Sequence, residues 1–200
     1  MGSIDWGLDR LVDYQPPLTM ADDFHQFWHE NLEQSSMVPL NPSFDPVDDL
    51  LPEACVYDVS FDGVDGVRVR GWFITPRQVS GPLPTVVKFI GYSGGRSQAH
   101  SHAHHVLNGF NVFVMDSRGQ GGDTGLRLST SHGARRGFIT HGILDRDEYY
   151  FRAFYLDTIR AVEVACGRPE VDENRIATCG GSQGGALTIA CASLSDRVKV

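Results

Sequence analysis

The run Gly180-Gly181-Ser182-Gln183-Gly184 constrains this chain more than any other stretch, because it separates a strand-like segment at 175–179 from a small, apolar, helix-like segment at 185–190. A serine between strand and helix, with glycine two residues to either side, meets the requirements of a nucleophile elbow. The turn holds the hydroxyl out above a sheet in a strained conformation, and the glycines let neighbouring backbones pass closely. Gly180, Ser182 and Gly184 carry that spacing. The plainer reading is a helix N-terminus in any α/β protein. A dinucleotide-binding turn fits worse, since Ser182 stands where such a turn needs its second glycine.

Upstream, the pattern alternates strands and helices. Residues 19–34 read as an amphipathic helix with Thr19 as cap, Asp22 and Asp23 in the first turn, and Phe24, Phe27, Trp28 and Leu32 at helical spacing. Residues 37–53 carry four prolines and read as an irregular connector. Strand-like runs at 55–61 and 67–74 flank the turn-rich Asp62-Gly63-Val64-Asp65-Gly66, which predicts an antiparallel pair.

A third strand at 85–90, a helix-like stretch reaching Leu107 and a strand at 111–115 then make a strand-helix-strand unit, the mark of a parallel sheet. The longest helix is expected at 148–166, with Phe151, Phe154, Tyr155, Thr158, Ile159 and Val162 on one face. Gly167 is expected to cap it in the left-handed conformation, and Pro169 prevents its continuation. The fold class is α/β: an α/β-hydrolase fold with a mostly parallel central sheet, in which the strand before Ser182 is expected to be central.

Hydrolases of this architecture order their triad as serine, acid, histidine. All eight histidines precede Ser182, and residues 183–200 hold Asp196 and no histidine. The triad acid and histidine are therefore expected to lie outside this chain. The chain reads as the N-terminal part of a single hydrolase domain truncated after the elbow and its helix, with residues 1–53 as N-terminal helix and connector and 197–200 as the beginning of another strand.

With 41% hydrophobic and 21% charged residues the composition is that of an ordinary globular domain. A net charge of −8, with no basic run, argues against nucleic acid or anionic membrane as partners. The first residues lack the charge and apolar core of a secretory signal, and no apolar run approaches a membrane span, so a cytoplasmic location is expected. Cys55, Cys166, Cys179 and Cys191 are irregularly spaced and expected to be buried reduced thiols.

Acyl transfer by a serine needs two donors for the oxyanion. One is expected at the backbone N–H of Gln183. The other is expected from the glycine-rich loop after the third strand, at or near Tyr92. His100, His102, His104 and His105 cluster, with His100 and His104 four apart as zinc ligands on one helix face would be. No carboxylate lies among them, so no metal is assigned. No cofactor is expected.

Several segments together resemble the acetyl xylan esterase and cephalosporin C deacetylase family, the seventh family of carbohydrate esterases. They are the aromatic helix 23–28, Met115-Asp116-Ser117-Arg118-Gly119-Gln120-Gly121, Gly142-Ile143-Leu144-Asp145 with Tyr149-Tyr150, and Gly180 to Gly185. The family's Arg-Gly-Gln element matches at Arg118 to Gln120 and its Gly-x-Ser-Gln-Gly element at Gly180 to Gly184. Its His-x-Glu element is absent. Members commonly carry a histidine where this chain has Ile90, a change that leaves a backbone donor at Tyr92 in place.

The resemblance implies Ser182 as nucleophile, the amides of Tyr92 and Gln183 as oxyanion hole, and Arg118, Gly119, Gln120, Gly180 and Gly184 as structural support. It implies a cofactor-free serine esterase that deacetylates small acetylated sugars such as xylo-oligosaccharides, and cephalosporin C, and that assembles as a homo-oligomer, commonly a hexamer. Two other readings stay open: a different α/β hydrolase of thioesterase or peptidase type, and a catalytically silent fragment acting as an interaction module.

Overall fold

A computed structural model describes residues 5–48, 50–127, 130–131 and 137–200. The chain runs α1 (Leu8–Val12), α2 (Phe24–Met37), β1 (Ser43–Val47), β2 (Ala54–Asp62), β3 (Arg68–Pro76), β4 (Leu83–Phe89), α3 (Ala103–Val106), β5 (Asn111–Met115), α4 (Tyr150–Cys166), β6 (Val171–Gly180) and α5 (Gln183–Leu194). The six strands form one sheet in the order β1-β2-β3-β5-β4-β6. β1, β2, β3 and β5 pair antiparallel in succession, whereas β4 pairs parallel with both β5 and β6.

β5 shows why the sheet is stable. Val112 and Val114 face one layer, with Ala99, Val106 and Ile74, while Phe113 and Met115 face the other, with Phe73, Phe154 and Leu187. Both faces are covered, so the strand is apolar throughout instead of alternating. α4 and α5 supply the thicker layer. α4 is buried on more than the single face its periodicity indicates: Ala153, Leu156, Ala161 and Val164 are as enclosed as Phe154 and Ile159, while Phe151 and Tyr155 are only half-buried.

Several expectations need correction. The first amphipathic helix begins at Phe24, not at residue 19; Thr19 is exposed and caps nothing, and the Asp23 carboxylate turns away to Arg146. The proline-rich connector contains β1. Pro46 lacks a ladder donor, and a strand at the sheet edge tolerates that loss. The stretch up to Leu107 is not one helix but a 3₁₀ turn, Ala99–His102, followed by the single turn of α3. Gly167 ends α4 at φ −71°, in ordinary right-handed geometry.

β6 borders the six-stranded sheet. Residues near Val200 then begin a parallel pairing on its other side, with Lys199 N–H donating to Ile176 O and Thr178 N–H to Val200 O, both at 2.8 Å. The four cysteines are free, but only Cys191 is fully buried.

Two buried arginines fasten the layers. Arg160 of α4 donates to the carbonyls of Ser35, Val38, Pro39 and Asp62 at 2.6–3.0 Å, placing positive charge on the open carbonyls at the end of α2. Arg118, after β5, grips Asp157 of α4 with two hydrogen bonds, Nε to Oδ2 at 2.6 Å and Nη2 to Oδ1 at 2.7 Å.

Candidate active site

β4 and β6 are parallel and in register, with Phe89 opposite Gly180, so the loops that follow leave the sheet side by side at its carboxyl edge. Crevices at that edge are where open α/β sheets bind ligands. After β6 the chain turns through Gly181 and Ser182 into α5. Ser182 sits at φ 55°, ψ −123°, a combination in which Cβ is crowded, so the turn is strained in the way the glycine spacing predicts.

Both flanking glycines are required by contact. A Cβ on Gly180 would lie 2.4 Å from Gly184 C and O, and one on Gly184 would lie 2.4 Å from Phe89 O. The turn is closed by Gly184 N–H to Gly181 O and Gly185 N–H to Ser182 O, each 2.9 Å. Ser182 is exposed, and its hydroxyl has no hydrogen-bond partner among the described residues.

The loop after β4 lies against this turn; a Cβ on Gly91 would be 3.5 Å from Gly181 O. This strand is the fourth, not the third, because β1 precedes the hairpin. A hydrogen bond from Gly94 N–H to Gly91 O at 3.1 Å makes a tight turn with Tyr92 and Ser93 at its centre, Ser93 in the left-handed region at φ 59°. Such a turn leaves both central amides free of the turn's own bond. The Ser93 N–H is taken by Gln120 Oε1 at 2.6 Å. The N–H groups of Tyr92 and of Gln183, at the start of α5, have no acceptor among the described residues. The chain thus holds two open backbone donors on adjoining loops, one of them at the positive end of a helix.

Gln120 links those loops. Its Nε2 donates to Gln183 Oε1 at 3.0 Å and to Tyr150 Oη at 2.8 Å, while its Oε1 accepts from Gln183 Nε2 at 3.2 Å besides Ser93. Every donor and acceptor of this amide is thereby engaged. The Tyr150 hydroxyl in turn donates to Arg118 O at 2.7 Å. The Arg118 side chain is fully buried against Asp157, and Gly119, at φ 67°, turns the chain where a Cβ would lie 2.7 Å from Leu126 Cβ.

A cleft of about 350 Å³ opens at Ser182, walled by Tyr92, Ile139, Tyr149, Phe151 and Tyr155 and floored by Gln183 and Ala186. Burial holds the Tyr149 and Tyr155 phenols above their ordinary pKa, so they stay neutral. No histidine or carboxylate lines this cleft among the described residues. His25 and His29 line a neighbouring groove of about 580 Å³ between α2 and α5, which meets the cleft at Tyr155. His100 and His104 fall in a 3₁₀ turn and a separate helical turn, so they do not share a helix face; among the described residues no group of His, Cys, Asp or Glu is arranged to hold a metal ion.

The aromatic wall was hidden in the sequence, because Phe151 and Tyr155 lie at the same helical spacing as core residues. The pairs Gly94-Gly95 and Gly121-Gly122 were the available sign that the two loops touch: a Cβ on Gly95 would be 2.7 Å from Gly121 O, and one on Gly121 would be 2.4 Å from Ser93 O.

Known proteins resemble this chain in sequence and fold. The chain is 42% identical to an acetyl xylan esterase from Paenibacillus sp. R4, with a TM-score of 0.93 over 97% of this chain and 62% of that one. It is 33% identical to acetyl xylan esterase 1 from Thermoanaerobacterium sp. JW/SL YS485, with a TM-score of 0.91 over 98% of this chain and 62% of that one. The acetyl esterase Axe7A of Xylanibacter ruminicola is 28% identical over 193 residues, 92% of this chain and 43% of that protein. The chain therefore spans less than two thirds of the length of these relatives. The fold is that of the α/β hydrolases, and with residues 1–200 matching the acetyl xylan esterase (AXE1) family, the chain belongs to that family.

Proposed function

We propose that Ser182 is the nucleophile of a serine esterase that removes acetyl groups from small acetylated sugars of the xylo-oligosaccharide kind. The observation that carries the reading is the strained, exposed Ser182 beside two open amides, Tyr92 N–H and Gln183 N–H. The serine oxygen attacks the acetyl carbonyl, the carbonyl oxygen becomes an oxyanion held by those amides, and the sugar alcohol departs with a proton. Water then releases acetate from the acyl-serine by the same steps in reverse order of roles.

The proton has to be taken by a base. No imidazole lines the cleft among the described residues, and the solved relatives are longer than this chain, so the reading places the histidine and its acid partner in polypeptide beyond these 200 residues. Tyr149 and Tyr155 suit a sugar: their neutral hydroxyls offer hydrogen bonds, and with Tyr92 their rings offer flat apolar faces to pyranose C–H groups. Acetylated cephalosporins present the same ester. The names of the three relatives support the acetyl-ester substrate.

A homo-oligomer and a cytoplasmic location complete the proposal. The four free cysteines suit a reducing compartment, and among the described residues no helix is long and apolar enough to cross a membrane.

The test compares parent and Ser182→Ala, each in the length of the solved relatives, on 4-nitrophenyl acetate and acetylated xylo-oligosaccharides. Loss of the nucleophile is expected to cost on the order of 10⁵- to 10⁶-fold in kcat while the unfolding midpoint hardly moves. Turnover within tenfold of the parent would remove serine catalysis from the reading.

A further inference from the structure

The loop that carries Tyr92 has few means of holding its shape: after the half-buried Ile90, four of the next five residues, 91–95, are glycine or serine, and the fifth, Tyr92, is exposed. It is held instead by Arg96. This side chain, 5% exposed, spends all its polar groups on neighbouring elements. Nη1 donates to Asp58 of β2 at 2.7 Å and to Gly71 O of β3 at 2.6 Å, and Nη2 donates to Asp123 at 2.7 Å. The guanidinium lies 3.9 Å from the ring centre of Trp72, close enough for a cation–π contact.

The backbone of the same residue is tied as firmly. Arg96 N–H donates to Asp116 Oδ1 at 2.6 Å, and Arg96 O accepts from His102 Nε2 at 2.9 Å. Asp116, fully buried, spends its other oxygen on Asp123 N–H at 2.7 Å, so one carboxylate pins both loops. The result is a fixed post four residues from Tyr92. Between post and sheet the loop's other side-chain ties are Gln120 Oε1 on Ser93 N–H, Gln183 Nε2 on Ile90 O at 3.4 Å, and Tyr92 Oη, which accepts from Phe138 N–H at 3.2 Å.

We infer that Arg96 is a positioning residue, which sets where the Tyr92 amide stands relative to the Ser182 turn. The inference rests on reading that amide as an oxyanion donor. An oxyanion bond is sensitive to placement; an error of about 1 Å in a catalytic group can cost about 100-fold. Arg96 is also too enclosed to meet substrate, so its effect has to pass through the loop.

The test sets Arg96→Met against Arg160→Met, which removes an equally buried guanidinium with four hydrogen bonds far along α4. In the 200-residue chain, amide exchange of Ser93 and Gly94 is expected to quicken at least about tenfold in Arg96→Met and to stay unchanged in Arg160→Met. In the esterase of full relative length, Arg96→Met is expected to lower kcat about 10- to 100-fold at nearly constant KM, whereas Arg160→Met lowers the unfolding midpoint with kcat intact.

Unchanged exchange at Ser93 and Gly94 in folded Arg96→Met would overturn the inference. So would an equal fall of kcat in both variants, or a raised KM at constant kcat. If Arg96→Met does not fold, Arg96→Lys keeps the charge, loses the fork and is held to the same outcomes. A parent without Ser182-dependent hydrolysis would defeat the proposed function alone, and the exchange comparison would still decide the role of Arg96.

Discussion

Asp157→Asn isolates the energetics of the pair that joins the loop after β5 to α4. Both side chains are closed to solvent, 0% exposed for Arg118 and 1% for Asp157. The carboxylate receives two hydrogen bonds from the guanidinium and one from Val64 N–H at 3.3 Å. Arg118 Nη1 has no hydrogen-bond partner among the described residues, and its nearest other carboxylate is the partly exposed Asp65 at 3.9 Å. The amide keeps the shape of the acid and removes its charge, leaving a buried cation with weak compensation.

Removing one member of a buried pair costs about 3–5 kcal/mol. For a chain of this length 1 kcal/mol moves the midpoint by about 2–4 °C, so the expected fall is about 6–20 °C. The double variant Arg118→Met, Asp157→Leu is expected to recover most of the loss, because an apolar pair of similar volume has no charge to desolvate. Urea unfolding at pH 7, followed by circular dichroism with equal slopes for all variants, gives the free energies. A single variant that loses less than about 1 kcal/mol, or a double variant no better than the single, would refute the assignment of the cost to a stranded charge.

In the esterase at the length of the solved relatives, Gly184→Ala is expected to abolish labelling of Ser182 by a fluorophosphonate, because the new methyl would meet Phe89 O at 2.4 Å; undiminished labelling would contradict the close approach of elbow and β4. Ser182→Gly is expected to raise stability by about 1 kcal/mol over Ser182→Ala in the same urea assay, since only glycine is at ease at φ 55°, ψ −123°; equal midpoints would show the turn to be unstrained. Burial, then the nearby His104, Lys88 and His102, lowers the His105 pKa from 6.5 to about 4. The folded chain therefore binds fewer protons than the unfolded chain between those values, and stability should fall as pH drops from 6.5 to 4 and level off below. His105→Asn should flatten that part of the profile, and an unaltered slope would assign it elsewhere.

The residues that were legible in sequence are those whose neighbours in sequence decide their state. β5 reads as a buried strand because its apolar run is bounded by Gly109 and Asp116, and the Ser182 turn reads as strained because its glycines stand two residues away on either side. β1 was missed because Pro42 and Pro46 argue for a loop; only its position at the sheet edge makes Pro46 acceptable. The start of α2 was misplaced because Asp22 and Asp23 look like first-turn acids, whereas Asp23 answers to Arg146 across the fold. Arg96 and Arg160 carry no local sign of burial in the sequence, and Arg118 is marked as structural support only through the family's Arg-Gly-Gln element. Their burial depends on partners up to 125 residues away, and no local pattern records such a partner. The glycine pairs of the two site loops carried a trace of their contact, but which loop each would meet depends on the order of strands in the sheet.

The grip of Arg160 on the end of α2 has a consequence for the order in which the chain assembles. The polar ties of α2 and the two residues after it run to α4, Arg160 to Ser35, Val38 and Pro39 over separations of 121–125 residues and Arg152 to Asn31, and the Trp28 ring meets Tyr155 there. Residues 24–37 thus have almost nothing to dock on until α4 exists and lies on the sheet. At a synthesis rate of about 5–20 residues per second, α2 waits roughly 6–25 s on a growing chain before its carbonyls meet their arginine. In refolding it is expected to contribute little to the transition state, so weakening this anchor should quicken unfolding and leave the folding rate nearly untouched.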